Sequence, residues 1–191
     1  MFQFAKPRLV LASASPRRQE LLREAGIAFD VWPAHIAEQR RPGEAPVQYA
    51  CRLAREKASA VAPRFPDRYV LGADTIVVVD NHVLEKPLDF DDAVRMLQLL
   101  SGRGHQVTTA VSLVVPGHQS QTSSSTTQVY FREITDEEIL SYVRSGEPMD
   151  KAGAYAIQGG AAPWVERIHG EYSTVVGLPL SVVQEMLSAS G

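Results

Sequence analysis

The chain of 191 residues is long enough to bury a core within one compact domain of ordinary size. Hydrophobic residues make up 45% and charged residues 21% of it, as is typical of globular proteins. The formal net charge of −3 gives no general attraction to nucleic acid or to an anionic membrane, so we expect neither as a partner. Cys51 is the only cysteine, which excludes a disulfide framework. Because no apolar run approaches a membrane span and no signal-peptide pattern is found, we expect a cytoplasmic location.

Strands and helices alternate along the first half of the chain, which is typical of an α/β fold. The predicted strands are apolar or β-branched runs at Leu9–Ala12, Phe29–Pro33, Tyr69–Leu71, Thr75–Val79 and Val83–Leu84. One helix follows the first strand and ends at Gly26, and a second runs from Pro46 to about Val61. We expect residues 72–74 to interrupt the third strand, and the polar segment through Glu44 to be mobile.

The second half continues the alternation. Its predicted helices are Asp91–Leu100, a segment from the capping box of Thr135 and Glu138 to near Gly146, and a last helix from Pro179. Its predicted strands are His105–Val115, Gln128–Arg132 and Trp164–Ile168. We interpret the stretch Gln119–Thr127, rich in Ser, Thr and Gln, as a loop, and the Gly-rich run Gly153–Gly160 as a loop or a bulged strand.

The first chemical signal is the run 13–18, Ser-Ala-Ser-Pro-Arg-Arg, which stands between a strand and a helix. With Ser15 as N-cap and Pro16 as the first helical residue, unpaired N–H groups and the helix dipole favour an anion at this point. Arg17 and Arg18 add donors suited to phosphate oxygens. Consecutive helical residues point about 100° apart, so we do not expect both to bind the same group. A capped helix with solvated arginines is an equally good interpretation of the spacing.

The second signal is a pair of acids. Asp74 stands between a glycine turn and an apolar strand, at the kind of strand end where α/β sheets place their sites. A carboxylate there can bind Mg²⁺ or Mn²⁺, or accept a proton from water. Glu38, in the polar segment before the second helix, could supply another oxygen ligand. A structural Asp in a turn and a solvated surface Glu are the alternatives.

Two lysines and a glutamine complete the set of candidates. Lys57 falls on the helix that buries Ala54 and Ala58, and Lys86 follows a short strand and precedes a proline. Either lysine could neutralise phosphate charge, although a lysine in such a position is more often simply a surface residue. Gln158, in the Gly-rich run, has both a donor and an acceptor with which to contact a base edge. The chain lacks a phosphate loop, a dinucleotide fingerprint, a nucleophile elbow and a zincin motif.

The order of these motifs resembles that of the Maf family. The resemblance rests on six further runs: Arg52–Ala58, Gly72–Thr75, Glu85–Pro87, Leu100–Gly102, Asp150–Tyr155 and Gly177–Leu180. It covers nearly the whole chain and implies a single nucleotide pyrophosphatase domain over residues 1–191. The implied fold is a bent mixed β-sheet flanked by helices, with two lobes and a cleft, similar to inosine triphosphate pyrophosphatases. The implied activity is hydrolysis of a nucleoside triphosphate to the monophosphate and pyrophosphate, with a divalent metal, Mg²⁺ or Mn²⁺, and a homodimer as a possible assembly.

Carried over residue by residue, the resemblance assigns a role to each candidate. Asp74 matches the family's proton acceptor. The positions that line the phosphate and metal site correspond to Ser13, Arg18, Glu38, Lys57 and Lys86, with Asp74 and Glu38 as the metal ligands. The positions that separate family branches correspond to Arg17, Thr75 and Gln158, and all three fit the branch that hydrolyses dTTP and UTP. After Gln158 the chain departs from the family's more Gly-rich ending.

Several alternatives stay open at the level of sequence. Which of Asp74 and Glu38 acts as the base and which as the metal ligand is undecided, since metal binding lowers basicity. Modified pyrimidine nucleotides are an alternative to dTTP and UTP as substrates. A nucleotide-binding regulator without turnover and a nucleic-acid-binding module are the rival classes. The retained acids and lysines argue against the first, and the acidic balance argues against the second.

Overall fold

The computed structural model of the chain describes residues 9–190. Its strands are β1 Leu9–Leu11, β2 Phe29–Val31, β3 Tyr69–Val79, β4 His82–Leu84, β5 Gly104–Val114, β6 Gln121–Phe131 and β7 Val165–His169. Its α-helices are α1 Pro16–Glu24, α2 Pro46–Val61, α3 Phe90–Leu100, α4 Asp136–Arg144, α5 Tyr172–Val176 and α6 Leu180–Ala189. Short 3₁₀ turns lie at Ala62–Arg64, Glu147–Asp150, Ala152–Ala154 and Ala162–Trp164. Apart from the short α5, every helix was expected from capping and periodicity.

The strands of the described chain form one mixed sheet in the order β2–β1–β3–β5–β6–β7, with β4 paired to β3. Strand β1 is parallel to both β2 and β3, whereas β4 is antiparallel to β3 and β7 is antiparallel to β6. A parallel pair needs a crossover connection, and the connections from β1 to β2 and from β2 to β3 contain α1 and α2. The prediction of a mixed α/β sheet with flanking helices is therefore confirmed.

Contacts divide the described chain into two compact units. The first unit comprises residues 9–74, Ala110–Ser124 and 177–190, and the second comprises Thr75–Thr109 and Ser125–Val176. Strands β3, β5 and β6 contribute residues to both units. The bend of the sheet and the cleft implied by the resemblance stay predictions. Within residues 9–190, none of the helices is both long and apolar enough to cross a membrane.

In the first unit, helix α2 packs against the parallel strands. Ala58 and Val61 of α2 form one buried cluster with Val10, Ala12 and Val70. The helix begins at Pro46, whose missing N–H is harmless at a first helical position, and it buries residues at the spacing of one helical face. This packing fixes the height and rotation of α2 against the sheet, and hence the position of every side chain on its inner face.

The second unit has an aromatic core. The ring of Phe131 meets that of Tyr155 edge to face at 4.9 Å, and Tyr142 meets Trp164 in the same way at 4.9 Å. His105 joins the cluster, and its Nε2 lies 2.8 Å from the hydroxyl of Tyr155. Burial lowers the pKa of His105 to about 4, so this ring is neutral at pH 7. The core thus anchors the Gly-rich segment through the side chain of Tyr155.

The predicted interruption of the third strand is wrong, because β3 runs without a break from Tyr69 to Val79. Gly72 serves close packing rather than a turn. A Cβ atom at this position would lie 2.2 Å from the backbone oxygen of Ala54 and 2.7 Å from the backbone nitrogen of Ala58. The glycine therefore lets the backbone of α2 approach the strand directly.

The predicted loop at Gln119–Thr127 is also wrong, because most of it belongs to β6. Its small polar side chains pair with those of β5 through their hydroxyl groups. Thr122 donates to the Oγ atom of Ser112 at 3.0 Å, and the hydroxyls of Thr108 and Thr126 are 2.8 Å apart. Cross-strand hydroxyl pairs stabilise a sheet where apolar alternation is missing, so hydrophobic periodicity could not reveal this strand.

Gly72→Ala tests the close approach of α2 to β3. We expect the free energy of unfolding to fall by about 2 kcal/mol, because the added methyl group must displace helix backbone. For a chain of this size the melting temperature should fall by roughly 4–8 °C. Thermal and urea denaturation followed by circular dichroism would measure both quantities.

The control is Ala58→Gly in the Gly72→Ala background, because the Cβ atom of Ala58 would also lie 3.1 Å from the new methyl group. Removing that atom should not restore stability if the helix backbone is the obstacle. Recovery of the parent stability in the double variant would contradict the proposed backbone contact.

Candidate active site

A buried lysine in the first unit holds two carboxylates. The Nζ atom of Lys57 lies 2.8 Å from Oδ1 of Asp74 and 3.0 Å from Oε1 of Glu38. The side chains of Lys57 and Asp74 are only 10% and 8% exposed, whereas that of Glu38 is 43% exposed. Lys57 is therefore in direct contact with both acids proposed from the sequence, in a cluster in which Asp74 is buried and Glu38 is partly exposed.

The fold explains why these side chains meet. Lys57 lies on the inner face of α2, between buried Ala54 and Ala58, so its side chain points toward the sheet. Asp74 follows Gly72 by two residues on β3, at the point where that glycine brings helix and strand together. The close approach of two backbones is thus what allows the ammonium group to reach the carboxylate. Lys57 is not the surface lysine of the alternative interpretation.

Burial sets the electrostatic character of Asp74. Removal from water raises the pKa of its carboxyl group above the ordinary value, while the ammonium of Lys57 and the guanidinium of Arg18 act in the opposite direction. Because desolvation is the largest of these effects, the carboxylate is more basic than an exposed aspartate. This basicity suits a group that accepts a proton from water.

Arg18 is buried and contacts the residue that precedes Asp74. Its Nε atom donates to the carbonyl of Gly177 at 2.8 Å, and Nη1 donates to the carbonyl of Ala73 at 2.9 Å and to Oγ of Ser13 at 3.1 Å. Burial lowers the pKa of Arg18, and the charge of Asp74 opposes that shift. These contacts make Arg18 a brace that joins three segments of the first unit. Its predicted contact with phosphate stays a prediction.

The start of α1 matches the sequence expectation. Ser15 caps the helix by accepting from the backbone N–H of Arg18, and Pro16 occupies the first turn. Oγ of Ser13 accepts a second hydrogen bond from the backbone N–H of Ser15 at 3.2 Å. Arg17 is half-buried whereas Arg18 is buried, in agreement with the expectation that consecutive helical side chains point apart. The anion site predicted at this helix start stays a prediction.

Asp74 and Glu38 offer a donor set that suits a hard divalent cation. Both carboxylates approach one ammonium group, so their oxygen atoms converge on a small volume. Mg²⁺ is commonly bound by one or two carboxylates together with substrate phosphates and water, and Mn²⁺ accepts the same ligands. A metal ion here would compete with Lys57 for these oxygens. Among residues 9–190, no group of three or more His, Cys, Asp or Glu side chains is placed to hold a metal ion.

The remaining candidates belong to the second unit. Lys86 is exposed and follows β4 by two residues. The carbonyl of Glu85, directly before it, accepts a hydrogen bond of 3.1 Å from the backbone N–H of Gly153. Gly153 has a φ of +68°, and a Cβ atom there would lie 2.9 Å from the side chain of Val77. The segment that carries Lys86 is therefore tied to the start of the Gly-rich loop.

Gln158 emerges from that loop into solvent, and the loop is fixed on both sides of it. The hydroxyl of Tyr142 accepts from the backbone N–H of Ala156 at 3.1 Å and donates to Oε1 of Glu147 at 2.9 Å. The carboxylate of Glu147 accepts from the backbone N–H of Gly160 at 3.2 Å. One side-chain pair thus holds the backbone two residues before and two residues after Gln158.

Thr75, the third specificity candidate, lies on β3 and is half-buried. Its hydroxyl is 2.8 Å from that of Thr109, which donates to the carbonyl of Thr174 at 2.7 Å. A hydroxyl has one proton, so Thr109 must accept from Thr75. How the second-unit candidates lie relative to the Lys57 cluster stays a prediction.

The supporting side chains were not found from the sequence. Glu44 precedes α2 and lies eight residues before Arg52, so no helical spacing relates the two residues. They nevertheless form an ion pair of 2.6 Å. Tyr142 and Glu147 gave no signal either. The adjacent Gly159 and Gly160 were a usable sign, since glycine permits the close approach to Glu147 and Tyr142 that is observed.

Comparison of the whole chain with solved structures identifies its fold. The Ham1 protein of Staphylococcus aureus aligns with 96% of this chain and 99% of its own, with a TM-score of 0.55 and 13% sequence identity. At that level of identity the likeness extends to the fold alone. It agrees with the mixed α/β architecture described above.

Comparison with curated proteins finds many relatives. A protein of Koribacter versatilis is 56% identical over 183 residues, which cover 96% of this chain and 94% of the relative. Relatives from Geobacter metallireducens and Escherichia coli O157:H7 are each 54% identical and cover 96% and 94% of this chain, and 96% and 91% of their own lengths. All three are named dTTP/UTP pyrophosphatase.

The profile of the Maf-like protein family matches residues 8–190. That match spans nearly the whole chain, including the positions of Lys57, Asp74 and Glu38. This chain therefore belongs to the Maf-like protein family.

Proposed function

We propose that this chain hydrolyses nucleoside triphosphates, with dTTP and UTP as its substrates, to the nucleoside monophosphate and pyrophosphate. The observation that carries the proposal is the buried ammonium of Lys57, held between the carboxylates of Asp74 and Glu38. The relatives named dTTP/UTP pyrophosphatase, at 54–56% identity, supply the reaction and the base preference. The same substrates were expected from Arg17, Thr75 and Gln158, which fit the dTTP and UTP branch of the family.

Charge explains what such a site must do. A triphosphate carries about four negative charges near neutral pH, so water or hydroxide is repelled from phosphorus unless cations lie close by. The two carboxylates of the cluster are balanced by Lys57 and Arg18, which leaves no surplus positive charge among these four residues. Further cations are therefore needed, and Lys86 and the N-terminal end of α1 are the groups we assign to this role.

A divalent metal fits this requirement. Asp74 and Glu38 would hold Mg²⁺ or Mn²⁺, which when bound would neutralise phosphate charge and polarise the phosphorus centre. The residues of the chain perform the other tasks. Lys57 keeps the two carboxylates oriented, and Lys86 and Ser13 bind phosphate oxygens of the leaving pyrophosphate. Asp74 orients the attacking water and accepts its proton, because burial has raised the basicity of its carboxylate.

Asp74 and Glu38 divide the work between base and metal ligand. A carboxylate that is tightly bound to a cation is a poor base, so one group cannot fully serve both functions. Asp74 is the more buried of the two, and burial raises its pKa. The half-exposed Glu38 is better placed to exchange a metal ion with solvent. We therefore assign the role of proton acceptor to Asp74 and the larger share of metal binding to Glu38.

The cellular setting follows from the same assignment. An enzyme that removes nucleotides from the pool acts in the cytoplasm, where we place this chain, and a homodimer is the assembly implied by the resemblance. Pyrophosphate release from dTTP separates this function from a regulator that binds nucleotides without turnover. A chain with a net charge of −3 should neutralise few phosphates, so we expect weak binding to DNA or RNA that depends little on salt.

Asp74→Asn tests the assignment of the base. The amide keeps the shape of the side chain but cannot accept the proton, so turnover of dTTP should fall by at least ~10²-fold while nucleotide binding persists. In the parent enzyme, activity should decline as the pH falls through the raised pKa of Asp74, above its ordinary value of 3.8, because protonation removes the base. Steady-state kinetics across pH and isothermal titration with dTTP would measure these effects.

The matched control is Asp91→Asn, the same change at an exposed position at the start of α3. It should leave turnover within about twofold of the parent, since surface substitutions have small effects. A turnover by Asp74→Asn within a few-fold of the parent would remove Asp74 from the mechanism.

The position of cleavage tests the reaction itself. Attack at the α phosphorus releases intact pyrophosphate in one step, so phosphorus NMR of a dTTP digest should show monophosphate and pyrophosphate appearing together. Orthophosphate and the diphosphate as first products would overturn the proposed reaction. The Asp74→Asn variant at the same concentration controls for a contaminating phosphatase.

Gln158→Glu tests the reading of the base. Thymine and uracil present an N3–H donor beside carbonyl acceptors, which an amide side chain matches with its oxygen and its NH₂ group. A carboxylate would face a carbonyl without a proton, at a cost on the order of 1–3 kcal/mol. The kcat/KM for dTTP and UTP should therefore fall by roughly tenfold or more, and that for GTP should fall less or rise.

Gln106→Glu provides the control, because it makes the same change at an exposed position on β5 of the same unit. It should not alter the ratio of activities among dTTP, UTP and GTP. If Gln158→Glu changes all three activities by one common factor, Gln158 does not read the base.

A further inference from the structure

The segment that carries Glu38 has no regular secondary structure, yet it is fastened to α2. Residues 32–45 contain only an isolated turn, and Gly43 has a φ of +73°. The sequence indicated a mobile segment here. The structure instead shows several hydrogen bonds from side chains of α2 to this segment, and most of their donors belong to one side chain, Arg52.

Arg52 contacts the segment at two points. Its Nε and Nη2 atoms donate to the two carboxylate oxygens of Glu44 at 2.6 and 2.8 Å. Nη2 also donates to the backbone carbonyl of Gln39, the residue after Glu38, at 2.9 Å. The bidentate contact with Glu44 fixes the orientation of the guanidinium plane, and that plane then fixes the carbonyl of Gln39.

The remaining donors of Arg52 hold the guanidinium on its own helix. Nη1 donates to both oxygens of Glu56, one helical turn away, at 3.1 and 3.2 Å. The guanidinium carbon also lies 5.5 Å from the ring centre of Tyr49, whose hydroxyl donates to the backbone carbonyl of Glu38 at 3.3 Å. Two successive carbonyls of the segment, those of Glu38 and Gln39, are thus bound by neighbouring side chains of α2.

The clamp, defined as Arg52 with Glu44, is well shielded. The side chains are 14% and 10% exposed, so they are less open to competition from water than an ordinary surface ion pair. The hydrogen bonds from Arg52 lower the pKa of Glu44 to about 2. A depressed carboxyl pKa means that the clamp is fully charged above pH 4.5 and is lost only as the pH falls toward 2.

We infer that Arg52 is a positioning residue of the reaction, which through Glu44 and the carbonyl of Gln39 holds the carboxylate of Glu38 against Lys57. This inference rests on the proposed function, in which Glu38 takes part in the chemistry. The same helix delivers Lys57 to Asp74, so α2 sets both sides of the contact between Lys57 and Glu38. Release of the segment leaves Lys57 and Asp74 in place but moves the second carboxylate away.

A double-mutant cycle of Arg52→Met with Glu38→Gln tests the inference. Arg52→Met keeps an unbranched apolar stem in place of the aliphatic part of arginine and removes all of its donors. It should lower kcat for dTTP by about tenfold or more, because a small displacement of an active group is costly. In the Glu38→Gln background the same change should alter kcat by less than about twofold. The carboxylate that Arg52 positions is already absent there, so its displacement has no further effect.

Limited proteolysis provides a readout that does not depend on activity. The guanidinium of Arg40 is held by the carbonyl of Glu44 at 2.6 and 3.0 Å, so the bond after Arg40 is protected while the clamp is closed. Trypsin should cut there at least about fivefold faster in Arg52→Met, because a local opening controls access to the bond. Mass spectrometry of the fragments would locate the cut.

Arg55→Met is the matched control, since Arg55 is exposed on the same helix one turn from Arg52. It should change neither kcat nor the tryptic cut. Glu44→Gln releases the clamp from the side of the segment with α2 unaltered, and it replaces Arg52→Met in the cycle if that variant fails to fold.

Two results would overturn the inference. One is a fold-reduction in kcat by Arg52→Met that is as large in the Glu38→Gln background as in the parent, and the other is an unchanged rate of tryptic cleavage after Arg40. Failure of the proposed function looks different. In that case the parent protein releases no pyrophosphate from dTTP, while the proteolysis still shows whether the clamp holds the segment.

Discussion

The contact on which the site depends is the ion pair between Lys57 and Asp74. A charged group removed from water is costly unless it is paired and hydrogen-bonded, and each of these two side chains satisfies that condition for the other. Loss of Asp74 would leave the buried ammonium of Lys57 with the half-exposed Glu38 as its remaining carboxylate partner in the cluster. The pair therefore restricts what can change around it: the glycine that lets α2 approach β3, the arginine that binds the carbonyl of Ala73 next to Asp74, and the acid that completes the cluster.

Helix α2 serves the cluster in two ways. Its inner face packs on the sheet and directs Lys57 to Asp74, and its side chains Tyr49 and Arg52 hold the segment that carries Glu38. An irregular segment keeps its shape here because its carbonyl groups are bound by side chains of a rigid helix. This arrangement places one carboxylate on the sheet and one on a loop, so that one is buried and the other half-exposed. The difference in exposure gives the two acids different chemical properties.

The second unit positions its candidate side chain by another route. Gln158 is exposed, whereas the residues directly before it are buried in the aromatic core. The pair of Tyr142 and Glu147 holds backbone N–H groups on both sides of it, at a distance that only glycine permits at positions 159 and 160. This support fixes the backbone from which Gln158 projects, while its side chain stays accessible to a base in solvent.

The sequence by itself determined the class of the fold, the family and most helix boundaries, because these depend on local signals. Pro46 and the buried spacing that follows it predicted α2, and Ser15 with Pro16 predicted the start of α1. It also supplied Lys57, Asp74 and Glu38 as candidates. Only the tertiary structure decided that Lys57 contacts both acids, since one contact depends on a glycine that packs against a helix backbone and the other on a loop held by that helix. The strand β6 and the clamp of Arg52 with Glu44 were hidden for the same reason. Hydroxyl pairs across strands and an ion pair that joins a loop to a helix leave no periodic signal, because their partners are set by how distant segments pack.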